Sequence, residues 1–159
     1  NEGDKKFADA LHQAHANQDS DRTLDYRSII AAGLPAEDLE DLEWMGYVQP
    51  KGQDDNRVYS GQDVALIEVL HQARVAGLSS QVFPVQLVKL YLEALRPLVR
   101  FELQLFRQGV LPKAPENIED LAGTAANVSE TLVTILRRRL ILPTLTQLLT
   151  EENASGSDA

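Results

Sequence analysis

The side chains able to do chemistry are few and poorly placed for it. His12, His15 and His71 are the histidines. His12 and His15 stand three apart, which on a helix sets them on one face, where Asp9 or Asp19 could complete a metal site. Such a pair more often consists of polar side chains that only face solvent, and that is the expectation here. His71 has only Glu68 at helical spacing, so an ordinary exposed pair is expected. Arg137–Arg138–Arg139 is a basic run, but consecutive helical residues point about 100° apart and form no single patch. Solvated heads on apolar-packed stems are expected, with an anion or subunit contact as the alternative. The chain has no cysteine, which removes disulfides, thiolate nucleophiles and thiolate metal sites together. No Gly-rich phosphate loop, no nucleophile with a nearby base and no acid pair in an apolar setting is found. No enzymatic activity, metal or cofactor is expected.

The elements that position these residues read as almost all helical. Phe7, Ala8, Leu11 and Ala14 recur at helical spacing over Asp4–Ala16 and predict a first helix, followed by a polar linker from Asn17 to Asp21. Tyr26–Ala32 predicts a short helix. Gly33 supplies a turn because it accepts positive φ without steric cost. Pro35 opens a second helix, with Leu39, Leu42 and Met45 on one face. Tyr47–Val48–Gln49 and Arg57–Val58–Tyr59 are β-prone runs around a turn-rich loop, predicting a two-stranded wing. Ser60 is expected to cap a helix running to about Ala76, with Asp63 completing a capping box. Leu34, Leu39, Leu42, Met45, Val48 and Tyr59 should form a small core, with Trp44 capping it or packing on the next helix.

From about Pro84 to Gln108 a long helix is expected, kinked at Pro97. One stripe of it holds Leu87, Tyr91, Leu95, Leu98, Phe101 and Leu105, read as core packing, a dimer seam or the face of a small apolar ligand site. Another helix runs from about Ile118 to Leu142, and Pro143 kinks or restarts it. Residues 151–159 are expected to be disordered, having little to bury. The units expected are therefore 1–22, an N-terminal helix and linker; 23–78, the helix pair with its wing; 79–150, a helical region for dimerisation or effector binding; and 151–159, a tail. The fold class expected is mainly α, a winged helix-turn-helix followed by a helical bundle.

Charge decides what such a unit can meet. The chain has 159 residues and a net charge of −9. Residues 1–60 carry 13 acids against 6 bases. The acid is therefore concentrated where the helix pair lies. No apolar run reaches the ~18–20 residues of a membrane span, and no signal-like segment opens the chain, so a cytoplasmic protein is expected.

The run Ile30–Ala31–Ala32–Gly33–Leu34–Pro35, then Leu39 and Leu42–Glu43–Trp44–Met45–Gly46–Tyr47–Val48–Gln49–Pro50, resembles the helix-turn-helix of the MerR family of transcription regulators. Asn56–Arg57–Val58–Tyr59–Ser60–Gly61–Gln62–Asp63–Val64 is similar to that family's wing exit. The resemblance covers roughly residues 26–78. It implies a transcription regulator that dimerises through a long helix after the winged unit, the place the helix from Pro84 takes. Resemblance to drug-sensing relatives implies a small apolar ligand; a metal-sensing relative would need cysteines.

The departures from that family count as much. Its DNA-binding members place bases on the second helix and wing. Here the second helix carries Glu37, Asp38, Glu40, Asp41 and Glu43 and no base. A duplex bearing one negative charge per about 1.7 Å repels such a helix. Arg27, Glu37, Glu40, Lys51, Arg57 and Tyr59 are the candidate contacts to DNA or to a partner. The expectation is an effector-sensing and dimerising region with weak or no DNA reading of its own, any DNA-binding domain lying in sequence before Asn1. The alternative is a protein-interaction module resembling modulators of J-domain co-chaperones, whose acidic surface meets a basic partner. A third reading is a carrier of an apolar ligand.

Overall fold

The structure is a computed structural model, and it describes residues 2–19, 22–113 and 116–156. It is mainly helical, 75% helix, with six α-helices and one small antiparallel sheet among the described residues. Helix α1 spans Glu2–Asp19. Strand β1 (Thr23–Asp25) leads into α2 (Tyr26–Ala31), and α3 spans Ala36–Trp44. Strand β2 (Val58–Ser60) leads into α4 (Gln62–Val75). Helix α5 spans Leu87–Gly109 and α6 spans Ile118–Gly156.

Asp25 starts α2. Its carboxylate accepts from the Ser28 amide at 2.9 Å and the Ser28 hydroxyl at 2.7 Å, satisfying a donor that no helix turn reaches. Those bonds hold the Asp25 carboxyl below the ordinary carboxylate value, the hydroxyl contributing most. Gly33, at φ 103°, reverses the chain into α3. Leu39 and Leu42 then bury completely against Ile29, Val48, Tyr59, Val64, Ile67, Leu70 and Val85, forming one core among α2, α3, β2 and α4. The expected core residues all lie there, with Met45 partly buried at its edge.

The strand pairing differs from the expected wing. β2 pairs antiparallel with β1, Leu24 opposite Tyr59, and not with Tyr47–Val48–Gln49. The expected wing survives as a single bridge, in which Lys51 and Val58 exchange amide bonds of 2.9 and 2.8 Å. The reason is where the donors go. The Tyr47 and Val48 amides both reach the Leu42 carbonyl at the end of α3, at 2.9 and 3.4 Å. The Gln49 amide donates to the Asp63 carboxylate at 2.8 Å. No amide of that run is left to build a ladder. Asp63 is therefore spent on Gln49, and Ser60 ends β2, so Gly61 and not Ser60 precedes α4. In the intervening loop Gly52 has φ 89°, and a Cβ there would stand 2.6 Å from the Asn56 carbonyl oxygen.

Other expectations are corrected. Asn17–Gln18–Asp19 belongs to α1; Ser20 and Asp21 lie outside the described residues. The α5 stripe is not core packing: Leu98 is 39% and Phe101 58% exposed. Pro143 lies inside α6, which runs on through it, so the helix does not restart there; Pro97 lies inside α5, where it was expected. The tail expected to be disordered is helical through Gly156; residues 157–159 lie outside the described residues. Its polar residues close local bonds, with Gln147 donating to Glu151 and the Ser155 hydroxyl to the Glu151 carbonyl, at 3.0 and 2.9 Å. Adding a residue to an existing helix costs far less than starting one, so the polar end follows the apolar turns before it.

Helix α1 packs along the first turns of α6. Phe7 is buried and stacks on Phe106 of α5, centroids 4.6 Å apart and planes at 11°. Asp4 accepts from the Arg107 guanidinium at 2.9 and 3.2 Å. No described helix is long and apolar enough to cross a membrane.

Candidate functional site

The residues expected to meet DNA or a partner fall into two groups. Tyr59 and Arg57 are withdrawn from the surface. The Arg57 guanidinium donates through one nitrogen to both carboxylate oxygens of Glu43, at 2.8 and 2.6 Å, and through another to the Asp54 carbonyl at 2.8 Å. It also lies over the Tyr26 ring, 4.2 Å from the centroid. The Tyr59 hydroxyl donates to the same Glu43 carboxylate. Burial opposes the charge on Arg57, but Tyr59 and Glu43 outweigh it and hold the guanidinium above its ordinary value. Burial, then the bond to Glu43, pushes the Tyr59 phenol well above its ordinary value. Glu43 of α3 thus neutralises Arg57. Of the two bases expected on the wing, only Lys51 stays exposed without a carboxylate partner among the described residues; Arg27, on α2, is likewise exposed and unpaired.

The acids of α3 divide in the same way. Asp38 is buried and accepts from Arg74 of α4 at 2.8 and 3.2 Å. The same guanidinium donates to the Leu78 and Phe83 carbonyls, both at 2.8 Å, so each of its nitrogens and both Asp38 carboxylate oxygens have a partner. Glu37, Glu40 and Asp41 remain toward solvent, and Trp44 completes their stripe at i, i+3, i+4 and i+7. Trp44 is 87% exposed, so it neither caps the core nor packs on α4. Leu42 points inward, and two residues on is about 200° around the helix.

His71 does not pair with Glu68. Its Nε2 lies 2.9 Å from the Ala32 carbonyl at the end of α2, while Glu68 accepts from Arg22. His12 is exposed. The side chain of His15 lies outside the described residues. Among the described residues no group of three or more acids and histidines could hold a metal.

The long helices carry the second candidate region. Tyr91, Leu95, Leu98, Phe101 and Leu105 lie open along α5, between 38% and 58% exposed, with Leu87 half-buried at the start. A cavity of about 250 Å3 opens beside them, between α1, α5 and α6. None of the six stripe residues lines it. Its α5 wall is Val99, Glu102, Leu103 and Phe106. Three of these directly follow stripe residues Leu98, Phe101 and Leu105, so the cavity face lies about 100° from the stripe. Periodicity found an apolar face, and the second face beside it was masked because α5 is apolar on both.

No family model matches the chain, and no curated protein or solved structure matches it either.

Proposed function

We propose that the chain is the dimerising and effector-sensing part of a cytoplasmic MerR-like transcription regulator, carrying a winged-helix unit that no longer reads DNA. The observation that carries this reading is the open apolar stripe on α5, the helix that follows the unit built from α2, α3, β2 and α4. Large apolar faces left to water mark contacts to be made, and a 23-residue helix offers a seam about 35 Å long. The Leu132–Leu149 stretch of α6 is open too, with Leu140 63% and Leu142 71% exposed. The DNA-silent part of the reading rests on α3, which offers carboxylates where a duplex needs bases, and on Glu43, which occupies Arg57. Sedimentation equilibrium tests the assembly: the chain is expected to be a dimer, and Leu98→Asp with Leu105→Asp a monomer. A wild-type chain that stays monomeric removes the proposal. So does tight, salt-dependent binding of promoter DNA that is lost on Lys51→Ala.

One observation favours a second reading, a protein-interaction module resembling J-domain co-chaperone modulators. Trp44 stands in solvent within an acidic stripe, and an aromatic anchor ringed by charge suits a basic protein surface. Calorimetric titration with an isolated J-domain decides it: binding lost on Trp44→Ala supports this reading, and no heat of binding removes it.

A further inference from the structure

The cavity between α1, α5 and α6 has an unusual lining. Its apolar part is the stacked pair Phe7 and Phe106, with Val99 and Leu103 beside them. Space is left because α6 presents Ala125 and Ala126 where larger residues would fill the gap. The polar part includes two carboxylates, Glu102 of α5 and Glu130 of α6, and no lysine, arginine or histidine. Neither carboxylate has an ion-pair partner among the described residues. The bases nearest in sequence lie off this lining: Arg107 is held by Asp4, and with Arg100 it lines a neighbouring recess that shares Phe7 and Leu103, while Arg96 lines a further one.

Carboxylates without an ion-pair partner on the wall of an apolar, aromatic hollow repel an anionic guest and gain nothing from a purely apolar one. A positive charge reverses both effects. It pairs with the acids through charge-assisted hydrogen bonds. We infer that this cavity binds a small organic cation: one ammonium or amidinium group held by Glu102 and Glu130, and one aryl or branched alkyl body against Phe7, Phe106 and the two alanines. The volume lies just below the ~300–1,000 Å3 of drug-sized sites, so the body is a single ring with a short chain. As an effector site it rests on the regulator reading above; as a binding site it rests on the cavity alone. Because α1, α5 and α6 each supply a wall, an occupant ties the N-terminal helix to both long helices.

Calorimetry on the full chain with three probes of one shape tests it: 3-phenylpropylammonium, 3-phenylpropanol and 3-phenylpropanoate. The ammonium is expected to bind at least tenfold more tightly than the alcohol, and the propanoate not measurably. Glu102→Gln and Glu130→Gln are each expected to weaken the ammonium on the order of tenfold, one lost charge-assisted contact, and to leave the alcohol unchanged. Ala126→Leu, which fills the hollow, abolishes binding of both. The inference fails if the three probes bind alike, if none binds, or if the ammonium ignores both glutamine variants. Sedimentation in the same buffers separates the two claims. A dimer that ignores the probes keeps the regulator reading and loses the site; a monomer that binds the ammonium keeps the site and loses the regulator.

Discussion

The unit built from α2, α3, β2 and α4 and the lobe built from α1, α5 and α6 handle apolar surface in opposite ways. The first turns ten residues into a closed core and pairs two of its carboxylates, the buried Asp38 and the half-buried Glu43, with arginines. Among the described residues the second buries Phe7, Ala10 and Ala122 and leaves a long series of leucines in water. Similar composition therefore yields a unit finished by its own chain and a lobe that its own chain does not finish. The lesson is that a helix's amphipathic pattern says that a face must be covered, and only the number of neighbours says by what.

Substitutions can break or sharpen this contrast. Leu39→Ala removes a wholly buried side chain from the closed unit and is expected to cost about 4 kcal/mol in urea unfolding, the usual sum of lost transfer energy and residual cavity. Asp38→Ala leaves the Arg74 guanidinium buried with two carbonyls and no counter-charge, and is expected to cost about 3 kcal/mol by the same measurement. A cost near zero would show the pair to be ornamental.

Tyr59→Phe is a smaller change, about 1 kcal/mol at neutral pH for one hydrogen bond to Glu43. Its pH dependence has a definite sign. The folded chain holds the phenolic proton more tightly than the unfolded chain does. The stabilisation is therefore complete below about pH 10, where a free tyrosine titrates, and fades as pH rises from there toward the raised folded value. Thermal unfolding of the native chain should fall across that alkaline range more steeply than that of Tyr59→Phe. Smallest of all, Leu140→Asp on the open face of α6 should change the unfolding of the closed unit by less than about 0.5 kcal/mol. A large loss there would mean that α6 supports the unit directly.

Much of this was legible in the residues. The six helices follow the spacing of Leu and Ala and the stops at Gly33, Gly46, Gly77 and Gly109, and the closed core was readable from Leu34, Leu39, Leu42, Val48 and Tyr59. What escaped depends on competition for individual polar groups. Tyr47 and Val48 are β-prone, yet their amides were claimed by the Leu42 carbonyl, so the strand partner became Thr23–Asp25, a run too short and polar to announce itself. Arg57 counts as a free base in any tally of charge, and only the fold reveals that Glu43 occupies it. The cavity was invisible because it needs α1 and α6 beside the less conspicuous face of α5, and no local pattern encodes that three-way meeting.

Arg74 holds two parts of the chain at once. Its one guanidinium grips α3 through Asp38 and the link before α5 through the Leu78 and Phe83 carbonyls, while Val85 just beyond is buried in the core. The base of the long arm is thus clamped to the acidic helix by a single rigid, planar group. Any torque that a partner or ligand applies along α5 reaches the surface bearing Trp44 through that pivot, with little slack in between.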